Sequence, residues 1–372
     1  MKILLLSPYH GGSHQAWAEG YRANSRNIIQ VLTLPARFWK WRMHGGAVSL
    51  ARQFDRLDFT PDLILATDML DLAGFLSLTR RRTAAIPTAL YMHENQLTYP
   101  LPPEPDQGPM RRQHGERDLH YVFINYLSAL VADAVFFNSD FHRQQFLSEL
   151  PKYLNRFPDF NEATTVETIA AKSSTLPVGI DLQRFDDGDL TNQDVPPLIV
   201  WNQRWEYDKN PGAFLEVLYQ VNEAGIPFRL ALCGQNFRNQ PQEFERALVK
   251  LQKNIIHAGF ANEPRYKELL WQASLVISTA HHEFFGISIL EAIYCHTIPF
   301  LPDRLSYPEL LPQSCRSSLL YSSQQALLEK TVSFLSQPAS LQGLLPVLAT
   351  HVFRYDWRQV ANQYDTAFYR LL

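Results

Sequence analysis

Residues 275–292 constrain the fold of this chain more than any other stretch. Leu275, Val276, Ile277 and Ser278 form a short apolar run of the kind that fills a buried parallel strand. A polar loop, His281-His282-Glu283, follows, then Phe284-Phe285-Gly286, and no helix breaker occurs between Gly286 and Pro299. Strand, loop with a carboxylate, glycine, helix with a second carboxylate make a βα unit. In an open α/β sheet such a loop lies at the carboxyl end of its strand, where ligands bind. A helix start there offers free N–H groups and partial positive charge, which suit a phosphate. Glu283 and Glu291 stand eight positions apart. Along a helix that spacing covers about 12 Å, beyond the roughly 5 to 9.5 Å between an acid and a base across one glycosidic bond. The pair is spaced to grip two ends of a long ligand with the helix start between them, and a sugar nucleotide has that layout. On spacing alone, a loop surface charge and a solvated helix residue would serve as well. The flanking strand, glycine and aromatic pair favour the ligand.

The same strand–loop–helix rhythm recurs along the chain. Residues 3–6 read as a buried strand that runs into Pro8-Tyr9-His10-Gly11-Gly12-Ser13-His14, with a helix from about Gln15 and Ser13 as its N-cap. This is a nucleotide-type βα opening without the G-x-G-x-x-G spacing. A tight turn that needs glycine's backbone freedom fits it equally. Further strands are expected at 27–34, 63–66, 87–92 and 134–137. Arg37-Phe38-Trp39-Lys40-Trp41-Arg42 interleaves cations and aromatics, as phosphate contact with base stacking requires, although an exposed loop packed by its own tryptophans reads the same way. Arg80-Arg81-Arg82 reads as a solvated helix end. Asp68 and Asp71 follow the third strand, and Asp71 is placed to cap the next helix. The fourth strand leads into His93-Glu94-Asn95-Gln96-Leu97-Thr98-Tyr99-Pro100, a dense polar run at a strand end. His93 there is either a contact for ligand and proton or a histidine bonded within its turn. Residues 101–112 are proline-rich and aperiodic, as in a loop over a cleft mouth. A helix with one apolar face is expected over 116–131, and another from Asn138-Ser139.

Residues 186–197 are polar, with two prolines, and read as a linker between two domains. A new sheet opens at Leu198-Ile199-Val200-Trp201. Arg204 and Lys209 then converge on the start of a helix beginning near Pro211. Fixed cations at that place stabilise a diphosphate as its charge grows, with no metal. Strands at 228–233, ending beside Gly234-Gln235, at 255–260 and at 296–300, a capping loop at 305–310 and a final helix over 355–372 complete the reading.

Size and composition agree with two globular domains. The chain has 372 residues, 46% of them hydrophobic and 19% charged, which excludes a disordered protein. A net charge of −3 gives no global field for nucleic acid, so any RNA contact must be local. Cys233, Cys295 and Cys315 show neither close pairing nor metal spacing, which fits a reducing, cytoplasmic setting. The apolar start, residues 3–6, is too short for a signal peptide, and no stretch is long enough to span a membrane. No D-x-D run near a strand end marks a metal-dependent transferase, so no metal is expected.

Glu283-Phe284-Phe285-Gly286 through Glu291-Ala292 resembles the E-x7-E motif of retaining GT-B glycosyltransferases. Arg204 and Lys209 resemble the donor-phosphate pair of that superfamily, and Leu176-Pro177-Val178-Gly179-Ile180-Asp181 its turn before the interdomain crossing. The resemblance implies two Rossmann-like doubly wound domains facing across a cleft: residues 1–185, the linker 186–197, residues 198–355, and a last helix, 356–372, crossing back to the first. It implies that Glu283 contacts the donor sugar, Glu291 the ribose, and Arg204 and Lys209 the phosphates. Gly11, Gly12, Phe284, Phe285, Gly286 and Ile287 would border the donor.

A narrower likeness follows from Tyr9-His10-Gly11-Gly12-Ser13-His14, Thr33-Leu34-Pro35-Ala36-Arg37 with Trp39-Lys40-Trp41-Arg42, His93 through Pro100, Leu130-Val131-Ala132-Asp133 and Phe137-Asn138-Ser139. These segments are similar to the tRNA-queuosine mannosyltransferase family, which moves mannose from GDP-mannose to queuosine in the anticodon of aspartate tRNA. The likeness implies His93 as a contact for the donor sugar or the acceptor proton. It sets His14, Arg37, Trp39, Lys40, Trp41, Arg42, Glu94, Asn95 and Gln96 toward the acceptor. Retention would follow front-face attack, the leaving phosphate taking the acceptor proton. Two rival readings stand beside it: a GT-B transferase with a lipid or small-molecule acceptor, and a non-catalytic RNA- or sugar-binding protein on the same scaffold. Guanine against uracil, the identity of the hexose, and the oligomeric state are left open.

Overall fold

The computed structural model describes residues 1–100, 118–188, 195–234 and 242–372. The loop expected over 101–112, Gln235 and the middle of the 186–197 segment lie outside the described residues. The chain divides into two compact units, one made of Met1–Asp181 with Trp357–Leu372 and the other of Leu182–Asp356.

The first unit is built on six strands: β1 (Lys2–His10), β2 (Ile28–Pro35), β3 (Leu63–Thr67), β4 (Thr88–Met92), β5 (Ala134–Phe137) and β6 (Ser173–Thr175). They pair in the order β2-β1-β3-β4-β5-β6, every pair parallel. Helices cover both faces of a sheet joined this way, so its central strands are apolar throughout rather than alternating. Ile3, Leu4, Leu5 and Leu6 of β1 and Leu63, Ile64, Leu65 and Ala66 of β3 are fully buried. Each such leucine or isoleucine contributes about 1.5–3 kcal/mol. The chain leaves β1 to one side for β2 and returns to the other for β3. The crevice between the ends of β1 and β3 is therefore the switch point where a ligand fits.

Several local expectations are corrected here. Ser13 caps nothing: the helix runs Gly12–Asn24 with Gly11 in the N-cap position and no side-chain cap. Gly12 takes φ +54, which a residue with a Cβ rarely adopts. Residues 39–42 are not loop but the first turn of a 17-residue helix, Trp39–Asp55, entered through Phe38 at φ 54. Arg82 is not simply solvated. It donates to the carbonyls of Phe54, Leu57 and Phe59 and so closes the carboxyl end of that helix. Asp71 accepts the Gly74 N–H and caps the helix Leu72–Thr83.

The last helix, Trp357–Tyr369, belongs to the first unit. The Trp357 N–H donates to the Ile180 carbonyl at 3.0 Å. The indole lies so close to Gly179 that a Cβ there would meet it at 2.3 Å. Tyr364 accepts from Trp17 Nε1 at 3.0 Å and donates to the Pro177 carbonyl at 2.9 Å. Buried Asp365 accepts from Tyr21, Ser25, Asn27 and the Arg26 N–H, which ties the chain's end to the helix Gly12–Asn24.

The second unit repeats the plan with β7 (Leu198–Trp201), β8 (Arg229–Cys233), β9 (Ile255–Gly259), β10 (Ala273–Ile277), β11 (Ile298–Pro302) and β12 (Leu320–Tyr321). The order is β12-β11-β10-β7-β8-β9, again all parallel. Its switch point lies between β7 and β10. The loop carrying Arg204 and Lys209 leaves β7, and the loop carrying Glu283 leaves β10, so this topology brings the two motifs together.

Candidate active site

In the second unit the geometry centres on Lys209. Its side chain is 9% exposed; Nζ donates to the His282 carbonyl at 3.0 Å and to Glu283 Oε2 at 3.3 Å, and faces Asp208 Oδ2 at 3.2 Å. Burial works against the ammonium, but Glu283 and Asp208 more than offset it, and its pKa stands above the ordinary lysine value. The cation is therefore permanent. Arg204, half exposed, faces Glu206 at 3.2 Å. Glu283 Oε1 accepts the Phe285 N–H at 3.3 Å, which folds the loop back on itself. Gly286, at φ 109, then turns the chain into the helix Ile287–Tyr294. That φ favours glycine, and a Cβ on Gly286 would press on the end of the Leu310 side chain at 2.9 Å. Ile289 and Leu290 donate to the Gly286 carbonyl, and the N–H groups of Ile287 and Ser288 ahead of them have no acceptor within the helix. Phe284 and Phe285 are both 5% exposed, so a ligand meets their backbone and not their rings.

Glu291 lies one helical turn further in and is 6% exposed. Burial raises its pKa, opposed by Arg184 and Tyr266. Arg184 bonds to Oε1, and the Tyr266 hydroxyl donates to Oε2 at 2.8 Å. Asn202, at the end of β7, bonds to the Ser288 carbonyl at 2.6 Å and to Tyr266 at 3.3 Å, joining the two sides of the switch point. A cavity of about 300 Å³ opens beyond β10, lined by Asn210, Thr279, His281 and Arg304 among others. None of the expected donor residues lines it.

In the first unit, the ends of β1, β3 and β4 place three side chains together: His14, Asp68 and His93. Their ligand atoms lie within 4.8 Å of one another, the spacing that could hold a metal ion. Asp68 is fully buried and His14 is 9% exposed. Asp68 Oδ1 accepts the His93 backbone N–H at 2.9 Å and faces His93 Nδ1 at 3.3 Å. The His14 and His93 rings pack at 4.4 Å, tilted by 35°. Burial pushes both imidazoles down to about 3, so both are neutral at physiological pH, and pushes the Asp68 carboxyl up to about 6.

The comparisons with known proteins divide the chain at the same place. A family model described as the N-terminal part of tRNA-queuosine alpha-mannosyltransferase matches residues 2–180, and a model of group 1 glycosyl transferases matches residues 183–342. A tRNA-queuosine alpha-mannosyltransferase of Drosophila melanogaster is 34% identical over 349 residues, covering 90% of this chain and 87% of the relative. The chain belongs to the tRNA-queuosine alpha-mannosyltransferase family. A GDP-mannose:cellobiosyl-diphosphopolyprenol alpha-mannosyltransferase of Xanthomonas campestris is 24% identical over 173 residues, 45% of this chain and 46% of that one. Among solved structures, sucrose-phosphate synthase of Thermosynechococcus elongatus aligns with TM-score 0.71 at 14% identity, over 100% of this chain and 99% of its own. Anabaena HepE in complex with UDP and glucose aligns with TM-score 0.68 at 14% identity, over 100% of both chains. The fold is GT-B, with two Rossmann-like domains, and the family is one of glycosyltransferases.

The other residues expected at this family member's acceptor side separate into two groups. Arg37, Phe38, Lys40 and Trp41 are exposed, Phe38 by 72% and Trp41 by 63%. Trp39 is half-buried against Tyr121 at 5.1 Å, and Arg42 donates to the Pro35 carbonyl at 3.0 Å. His44 and His120 stack beside them at 4.3 Å. The polar run after β4 is largely committed to its own turn. Asn95 is fully buried and its Oδ1 accepts from Thr98. Gln96 bonds to Glu94 and to Asn125. A Cβ on Gly11 would meet the Ala36 Cβ at 2.4 Å, so this glycine serves the approach of two loops.

Sequence reading missed Arg184, Tyr266 and Asp208 and gave Asp68 no role. Arg184 lies 107 residues from Glu291, and no local pattern links them. Asp208 sits next to Lys209 and was readable as the partner of a buried lysine.

Proposed function

We propose that this chain is a retaining transferase that moves mannose from GDP-mannose to queuosine at the wobble position of the anticodon of aspartate tRNA. The observation that carries the reading is the split of its likeness. The half that resembles many glycosyl transferases holds the diphosphate-type site at Lys209, and the half matching a queuosine-specific family holds the exposed cations and aromatics. Lys209 and Arg204 take the diphosphate, aided by the first turn of Ile287–Tyr294. Glu291, steadied by Arg184 and Tyr266, takes the ribose hydroxyls, and Glu283 the sugar.

In the transfer, the bond from the anomeric carbon to phosphate oxygen breaks and GDP leaves with the electron pair. A queuosine hydroxyl oxygen bonds to that carbon from the same face, and its proton passes to the departing phosphate. Charge grows on the phosphate as the bond breaks, and fixed cations stabilise it more in the transition state than in the ground state. Arg204 and Lys209 supply that charge, so the diphosphate is handled without a metal. His93 meets a hydroxyl of the sugar or of the acceptor. Arg37, Lys40 and Arg42 contact phosphates, and Phe38 and Trp41 offer faces to bases.

The tRNA acceptor, the absence among the described residues of a helix long and apolar enough to cross a membrane, and three buried free cysteines support a cytoplasmic setting. The test is nucleoside mass analysis of queuosine-containing aspartate tRNA incubated with the chain and GDP-mannose. A gain of one hexose on queuosine is expected. Hexose appearing instead on a lipid or a small sugar would replace this acceptor.

A further inference from the structure

The crevice between β1 and β3 holds a buried carboxylate that the proposed transfer does not use. Asp68 leaves the end of β3 with its side chain 1% exposed, and the titratable groups that face it are His14 and His93, with His10 in turn facing His14. No lysine or arginine is recorded against it among the described residues. Its Oδ1 is engaged twice by one residue, through the His93 backbone N–H and the His93 ring. That ring is held from several directions: His14 packs tilted against it at 4.4 Å, and Trp17 and Tyr91 meet it edge-on at 4.7 Å and 4.8 Å. Trp17 and Tyr91 are in turn fixed by bonds to Tyr364 and to the Leu176 carbonyl. The imidazole can neither turn over nor tilt without disturbing this packing. Two buried nitrogens nevertheless lack protein partners, His93 Nε2 and His14 Nδ1. Buried polar atoms in native structures are satisfied almost without exception, so atoms left this way at a switch point mark a ligand's place.

We propose that Asp68 is the positioning residue for His93, keeping the proton on Nδ1 so that Nε2 presents a lone pair to a hydroxyl of the bound sugar or acceptor. A neutral imidazole has one proton, and a carboxylate facing Nδ1 draws it there. The bare Nε2 then accepts a hydrogen bond from a hydroxyl, raising the electron density on that oxygen. His14 packs against the ring, and its own Nδ1 is likewise buried without a protein partner. The function given to His93 rests on the transfer proposed above. The tautomer does not, so the two can fail separately.

The test uses the full chain, 15N-labelled, with the His93 ring assigned through loss of its signals in His93→Gln. Long-range proton–nitrogen correlation reads which ring nitrogen carries the proton. The wild-type ring should carry it on Nδ1 at neutral pH, and in Asp68→Leu, which leaves Nδ1 facing no acceptor, the proton should shift toward Nε2. Asp68→Leu should also lower kcat by about 10²-fold or more, in a chain that still melts cooperatively. A rise in KM for GDP-mannose in Asp68→Leu would assign the bonded hydroxyl to the sugar, and a rise in KM for tRNA would assign it to the acceptor. A wild-type ring protonated on Nε2 overturns the proposal, whether or not the variant folds. So does an unchanged tautomer in Asp68→Leu. A divalent metal retained stoichiometrically by the purified chain, with His93 signals that shift on chelation, would overturn it as well by making the trio a metal site. Wild-type turnover in His93→Gln beside the expected tautomer would uphold the positioning and remove only the catalytic use of the ring.

Discussion

Replacing Lys209 with methionine separates its part in the fold from its part in the reaction. The lysine is buried, and its ammonium is the counter-charge to Asp208, whose side chain is 2% exposed, and to Glu283 at 21%. Removing one member of a buried ion pair strands the other, at a cost of about 3–5 kcal/mol. For a domain of this size, each kcal/mol moves the melting temperature by roughly 2–4 °C, so Lys209→Met should lower it by about 6–20 °C. Under the proposed assignment the same substitution removes a cation from the leaving diphosphate, and loss of one such group lowers kcat by about 10²–10³-fold. Adding Asp208→Asn takes away most of the stranded charge. The double variant should regain at least half of the lost melting temperature and none of the activity. Scanning calorimetry and single-turnover mannose transfer read the two effects independently. A Lys209→Met variant that melts within about 2 °C of wild type would refute the stability argument. Transfer within about tenfold of wild type would refute the assignment of Lys209 to the leaving group.

Three further outcomes are expected. The neutral, buried imidazoles of His14 and His93, both pushed to about 3, contribute stability that is complete above the unfolded histidine value near 6.5 and is lost as pH falls toward 3. Asp68, pushed up to about 6, acts oppositely between about 4 and 6, its contribution declining as pH rises. With two histidines against one aspartate, the first unit's melting temperature should fall from pH 7 to pH 4.5, and His14→Phe should make that fall shallower; an unchanged slope would count against the burial argument. Asp365→Ala strands four donors on the helix Gly12–Asn24 and the turn after it, and should destabilise the first unit by about 3 kcal/mol or more in calorimetry. Trp41→Ala, at an exposed face, should weaken tRNA binding by about 5- to 100-fold, the worth of one stacked base, and leave GDP affinity unchanged in titration calorimetry.

The parallel strands were legible because a strand buried on both faces must be apolar at every position, as residues 3–6, 63–66 and 198–201 are. The loop and helix after β10 were legible for a related reason. A βα loop packs its chemistry into a few consecutive residues, so Glu283, Gly286 and Glu291 announce themselves together. What escaped is what depends on distance along the chain or on a locally contrary signal. The helix Trp39–Asp55 begins on a left-handed phenylalanine and contains Gly45 and Gly46, so propensity argued against it. Tertiary packing settled it, with Met43, Ala47, Leu50 and Phe54 buried along one face. Asp68 looked no different from the capping aspartate three residues later, because both follow the same strand. Only pairing β4 beside β3 sets it against His93. Arg184 meets Glu291 across 107 residues of chain, which no spacing rule encodes.

The central claim is a transfer with a defined donor and a defined acceptor, and one measurement reaches both. Purified chain is incubated with radiolabelled GDP-mannose and aspartate tRNA that either carries queuosine or retains guanine at the same position. Label incorporated only into the queuosine-containing tRNA is the predicted result. Label on neither tRNA, while GDP still raises the melting temperature of the chain, would contradict the acceptor and leave the donor site standing.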